Sequence, residues 1–175
     1  MASRARQALA LVRIGVGLDF LASGIGKLAN GWLVTPSPLV DGSLGPALQG
    51  GQVDSFYRPW LENIVIPHGL LFSQLTVLGE IGVGLSLLLG LLTRVGGVVG
   101  IWLNLNYMLM KGLGNVSGSE DRVFILIELA LVIGAAGLVW GIDGLLQRRH
   151  AQPPLVRLVA GDETAEKEPP TAAAA

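Results

Sequence analysis

Six polar side chains interrupt apolar stretches of this chain. Arg13 and Asp19 break the first stretch, Glu80 the second, Asn104 and Asn106 the third, and Glu128 the fourth. In hydrocarbon an ionisable group costs roughly 2.5–3.5 kcal/mol on insertion scales, so such groups turn toward a bundle interior and find partners there. Two chemistries fit the set. The first is structural, with charge pairs and amide hydrogen bonds of about 1 kcal/mol each tying a small bundle together. The second is catalytic. Carboxyls at Glu80 and Glu128, with Asp19 and Arg13 beside them, exchange protons with a quinone during its reduction. Passage of an ion or solute is a third use of the same interior.

Helical spacing sorts these residues into faces. Asp19, Ser23 and Lys27 form one stripe, Ser73, Thr76, Glu80 and Gly84 a second, and Asn104, Met108 and Lys111 a third. At a rise of about 1.5 Å per residue, Asp19, Glu80 and Asn104 reach similar depths, and Arg13 lies roughly 9 Å from Asp19 along the first helix. Arg13 and Asp19 do not pair simply, so Arg13 is expected to meet Glu80, Glu128 or a lipid phosphate. Asn104 and Asn106 point apart, so one of them faces the interior. Trp102 and Tyr107 on the same helix offer stacking surfaces for a quinone ring, or else pack as ordinary bilayer aromatics. With Asn104 they are the candidates to hold such a ring.

The elements that must position these groups run over about 8–28, 69–92, 95–113 and 123–142. Each approaches the ~20 residues that cross a bilayer as a helix. Backbone amides in hydrocarbon need internal partners, so the reading is an all-α, four-helix membrane bundle. Gly82, Ser86 and Gly90 make a small-residue row for close packing, as do Gly96 and Gly100 running on to Asn104. The first stretch opens with Arg4 and Arg6 like a signal peptide, but Arg13, Asp19 and Lys27 interrupt it and no A-x-A site follows, so it reads as a retained helix.

Composition agrees. Of 175 residues, 51% are hydrophobic, 25 are glycine and 14% are charged, with net charge −1. Globular domains carry about 25% charged residues. A disordered chain and a nucleic-acid binder are excluded, and the lipid bilayer is the expected surrounding. There is no cysteine, and the two histidines are His68 and His150, so haem, an iron–sulfur cluster or another metal centre is not expected within the chain.

An even number of spans puts both termini on one side. Arg4, Arg6, Arg94, Arg148 and Arg149 flank the helices there, with Arg157 beyond, against Lys27, Arg58, Lys111 and Arg122 opposite. The positive-inside rule places the termini in the cytoplasm of a multi-pass protein of the cell membrane. The loop over 29–68 is rich in turn signals (Thr35-Pro36-Ser37-Pro38, Asp41-Gly42, Gly45-Pro46, Gly50-Gly51) and then amphipathic over 56–67. It reads as an interfacial anchor, with Trp32, Tyr57 and Trp60 at headgroup depth, or as a lid over a pocket. The tail over 151–175 is Pro, Ala and acidic residues and reads as disordered and cytoplasmic.

Several segments together resemble the DoxX/DoxD family of small membrane proteins. They are Leu11-Val12-Arg13-Ile14-Gly15-Val16-Gly17 with Ser23-Gly24-Ile25-Gly26-Lys27-Leu28, Leu78-Gly79-Glu80-Ile81-Gly82-Val83-Gly84 with Leu89-Gly90-Leu91-Leu92-Thr93-Arg94, and Asn104-Leu105-Asn106. The long first loop, ending Val65-Ile66-Pro67-His68 before Leu71-Phe72, is similar to the thiosulfate:quinone oxidoreductase small-subunit branch. The resemblance covers about 9–146. It implies a membrane subunit that couples oxidation of a reduced sulfur compound, such as thiosulfate, to quinone reduction, together with a second subunit or a larger redox complex. An anion of that kind is expected to meet Lys27, Arg122 and Arg58, with Lys111 nearby, if they converge under the loop. Otherwise they snorkel as interfacial anchors. The alternatives are a non-enzymatic scaffold of a redox complex and a minor carrier, the latter without a visible inverted repeat.

Overall fold

The computed structural model describes residues 4–148, and the tail over 151–175, with Arg149, His150 and Arg157, lies outside the described residues. Among the described residues the chain is helical, with no strand. Helix α1 spans Arg4–Ala29. Two short helical stretches follow in the loop, α2 over 37–49 and α3 over 58–65. Then come α4 (Gly69–Leu89), α5 (Thr93–Lys111), α6 (Ser119–Ile133) and α7 (Ile142–Arg148).

The α4 helix stops where Gly90 adopts φ 64° and Leu91 N–H reaches back to the Ser86 carbonyl at 3.0 Å. Only three residues, Gly90, Leu91 and Leu92, separate Leu89 from Thr93, so α4 and α5 form a tight hairpin. The loop prolines do not punctuate turns as expected. Pro38, Pro46 and Pro59 sit in the first turns of helical segments, where their missing N–H and fixed φ fit.

Helix α1 packs along α4, α5 packs along α6, and α4 joins the two pairs through α5. Glycine sets the closest approach. A Cβ on Gly17 would meet Leu88 N at 2.6 Å, and one on Gly84 would meet Leu21 N at 2.7 Å. The expected row Gly82–Ser86–Gly90 is therefore not the packing face. Gly82 has open space around it, and Gly90 is the end of the helix. Gly84→Ala is expected to destabilise the chain by about 1–3 kcal/mol in detergent melts, because backbone rather than a side chain must move. Gly82→Ala serves as the neutral control, and equal melting of the two variants would refute this packing.

The molecule is apolar outside and polar within. Leu78 (59%), Val98 (57%), Trp102 (61%) and Leu126 (66%) are exposed, whereas Arg13, Ser73, Glu80, Asn104 and Glu128 are buried. Such a surface suits lipid and not water. Two helices, α1 and α4, are long and apolar enough to cross a membrane. Helix α5 has 19 residues, with Arg94, Asn104, Asn106 and Lys111 lowering its hydropathy. The fourth expected stretch is broken. Helix α6 ends at Ile133 after 15 residues, Ala135 (φ 46°) and Trp140 (φ 53°) take left-handed conformations, and α7 begins at Ile142.

The loop over 29–68 builds its own apolar core. Leu39, Leu44, Ala47, Val53, Tyr57, Leu61 and Val65 pack together, with Phe72, Leu109 and Met110 from the long helices against them. The Tyr57 hydroxyl donates to Asn106 Oδ1 at 2.6 Å, and burial pushes its phenol up, so it remains the donor. The loop thus closes one end of the helix assembly.

Candidate functional site

Below that loop lies a polar cavity of about 330 Å³, bordered by Asp19, Lys27, Glu80, Asn104, Tyr107 and Asp121 among others. Asp19, Lys27, Glu80, Asn104, Tyr107 and Lys111, all singled out from sequence, therefore meet in one place. Glu80 is its centre, 2% exposed. Lys27 Nζ donates to both Glu80 oxygens at 2.7 and 2.8 Å and to Ser23 Oγ at 2.8 Å. Ser23 Oγ donates to Glu80 Oε2 at 3.2 Å, and the Tyr107 hydroxyl donates to Oε1 at 2.6 Å.

The helical stripe explains the convergence. Ser23 and Lys27 are one turn apart on α1, and Gly24 between them lets α4 come close, since a Cβ there would meet Ile81 N at 3.0 Å. Lys27 also lies 5.5 Å from the Trp32 ring centroid and 5.6 Å from that of Tyr107, where aromatic faces attract a cation. A second pair, Lys111 with Asp121 at 2.8 Å, stands at the cavity wall. Asp19 is exposed at its border.

Sequence reasoning missed Trp32, Glu120 and Asp121 as cavity residues. The acids carried a signal, since they open α6 ten residues after Lys111 and so return to its level across a short turn. With them the cavity holds four carboxyls, Asp19, Glu80, Glu120 and Asp121, against the two lysines Lys27 and Lys111.

The other candidate residues stand elsewhere. Glu128 is fully buried behind the cavity. Asn104 Nδ2 donates to its Oε1 at 3.1 Å, and its Oε2 has no hydrogen-bond partner. Arg13 meets neither Glu80 nor Glu128. Its Nη2 donates to the Trp140 carbonyl at 3.1 Å, at the opposite end of the helices. The outer cations do not form a basic mouth. Arg122 donates to the carbonyls of Leu113 and Asn115, and Arg58 pairs with Glu62 and donates to the Leu48 carbonyl. Neither borders the polar cavity, and Lys27 is engaged by Glu80.

A second cavity of about 500 Å³ is apolar. Trp102, Leu78 and Val99 at its rim are exposed on the outer face, and Leu61, Tyr57 and Asn106 line it toward the loop. Tyr107 borders both cavities, so its ring is part of the wall between them. Among the described residues no group of His, Cys, Asp and Glu could hold a metal ion.

An all-helical chain with an apolar exterior, two helices fit to cross a bilayer and a buried polar centre defines a membrane protein. Residues 9–160 match the family described as TQO small subunit DoxD, and the chain belongs to that family. No solved structure matches the chain.

Proposed function

We propose that this chain is the quinone-facing membrane subunit of an oxidoreductase that draws electrons from a reduced sulfur compound such as thiosulfate. Its four long helices cross the cell membrane with both termini in the cytoplasm, and a second subunit completes the enzyme. One observation carries this reading: Tyr107 stands between a lipid-side apolar cavity and a buried, ion-paired carboxyl. The apolar cavity falls within the roughly 300–1,000 Å³ of small-molecule sites. Its rim offers a lipid-soluble ring a way in from the bilayer, and Trp102 offers it a flat face.

A quinone, when bound, accepts two electrons and two protons. Here Trp102 would orient the ring, Tyr107 would hold a proton at its hydroxyl, and Glu80 would hold the next behind it. Glu128 lies one amide further on, through Asn104. Among the described residues each proposed anion contact, Lys27, Arg58 and Arg122, is already bonded within the chain. That observation favours a second reading, an accessory subunit that stabilises a larger redox complex.

The two readings separate on the protein drawn from native membranes with whatever co-purifies. Under the first, a soluble quinone is reduced on adding thiosulfate, and quinone quenches tryptophan fluorescence less in Trp102→Leu than in the natural chain. Quenching unaffected by Trp102→Leu, with no quinone reduction, would leave the accessory role.

A further inference from the structure

We infer that the polar cavity is a proton inlet on the side of the 29–68 loop, and that Tyr107 is the group that hands the proton from Glu80 to the apolar cavity. This rests on the quinone reading above. The juxtaposition that carries it is a single side chain bordering both cavities and hydrogen-bonded at 2.6 Å to a carboxyl that is 2% exposed.

The cavity opens at the loop end of the helices. Lys27 and Lys111 at the last turns of α1 and α5 border it, and their side chains keep 20% and 30% exposure at the end the loop covers. The Arg13–Trp140 contact stands at the opposite end of the helices, and neither residue borders the cavity. The charges suit protons and repel an oxoanion. Facing Glu80 and Tyr107 are Ser23 and Lys27 from α1, Lys111 from α5, and Glu120 and Asp121 from α6, with Asp19 at the border. Both lysines already have carboxylate partners, which leaves two carboxyls in excess. A dianion meets net repulsion there, while a proton is attracted.

The transfer balances. Two electrons from the sulfur donor and two protons convert a quinone to a quinol. For each proton, the Glu80 carboxyl releases its hydrogen to the Tyr107 oxygen as the Tyr107 O–H bond breaks toward a ring oxygen in the apolar cavity. One O–H bond is broken and one formed at each step, and Tyr107 ends as it began. Glu80 is left as a carboxylate on Lys27 and is reloaded by water in the polar cavity. The contact between the Tyr107 and Glu80 oxygens serves either direction of donation. Uptake is therefore from the loop side alone.

The test uses vesicles carrying the complex with the loop outward, a soluble quinone, and pH dyes inside and out. One arm supplies thiosulfate, and a second replaces it with a membrane-permeant photoreductant. Tryptophan quenching reads quinone binding separately. The expected result is alkalinisation outside only, with Tyr107→Phe slowing proton uptake by about 100-fold or more while quinone affinity changes by less than about tenfold. Uptake from the inner compartment, or a Tyr107→Phe protein that matches the natural rate with bound quinone, overturns the inference and leaves the quinone reading standing. A silent thiosulfate arm beside a photoreductant arm that behaves as expected overturns the sulfur-linked reading and leaves the inlet. Loss of binding in Tyr107→Phe assigns the hydroxyl to holding the ring and also overturns the inlet.

Discussion

Replacing Lys27 with Met should unfold this chain more readily than any other single change at the polar cavity. Lys27 supplies both of the short ammonium contacts to Glu80. Without it, a carboxylate that is 2% exposed keeps only the Ser23 and Tyr107 hydroxyls. Removing one member of a buried pair costs about 3–5 kcal/mol, because the remaining charge is left uncompensated. Lys27→Met should therefore melt well below the natural protein in detergent. The double variant Lys27→Met with Glu80→Gln should regain most of that loss, since no charge remains buried. Quinone reduction should not return with it, because Gln has no proton to give. A double variant no more stable than Lys27→Met would refute the pairing. Recovered turnover would refute the role of Glu80.

Gly90→Ala should be strongly destabilising. Gly90 combines a left-handed φ of 64° with direct contact between any added Cβ and the Arg13 guanidinium. The conformation alone costs an L-residue about 1–2 kcal/mol. The clash displaces Arg13 from the Trp140 carbonyl, a charged hydrogen bond of about 1.5–3 kcal/mol. Gly90 also accepts the Asp143 N–H at 2.8 Å, while Asp143 takes the N–H groups of Leu92 and Thr93 at 2.9 and 3.0 Å. The change thus strikes the junction of α1, the α4–α5 turn and α7 together. A loss of about 3 kcal/mol or more is expected in equilibrium unfolding. Gly26→Ala, whose Cβ would meet nothing within 4 Å, should be near neutral apart from the helix preference for Ala. Similar stabilities for the two would refute the junction.

Much of this architecture is legible in the sequence. The apolar stretches gave α1, α4 and α5 to within a few residues, because length and hydropathy are local properties. The stripe Asp19–Ser23–Lys27 was legible for the same reason, as period 3.6 fixes a helix face, but its meeting with Glu80 was not. What failed was nonlocal. Arg13 finds its carbonyl 127 residues away in the chain, and nothing near Arg13 announces Trp140. The break after Ile133 was hidden because Gly134, Ala135 and Ala136 are apolar and read as helix, whereas the chain there turns with Ala135 at φ 46°. Tyr107 was read as a stacking ring. That its hydroxyl meets Glu80 depends on how α4 and α5 rotate about each other, which sequence spacing within one helix cannot fix.

If α6 crosses the bilayer as proposed above, its early end has a consequence for the lipid. Its 15 residues rise roughly 22 Å, whereas the 26 of α1 rise roughly 39 Å. Hydrocarbon about 30 Å thick therefore meets a protein of uneven height. On the α1 side the excess length is taken up by tilt. On the α6 side the bilayer must thin, or headgroups must dip toward the turn at 134–141. A chain so placed would imprint a gradient of thickness on the lipid around it, and acyl-chain length in the host membrane would act as a second, unbonded determinant of how its helices sit.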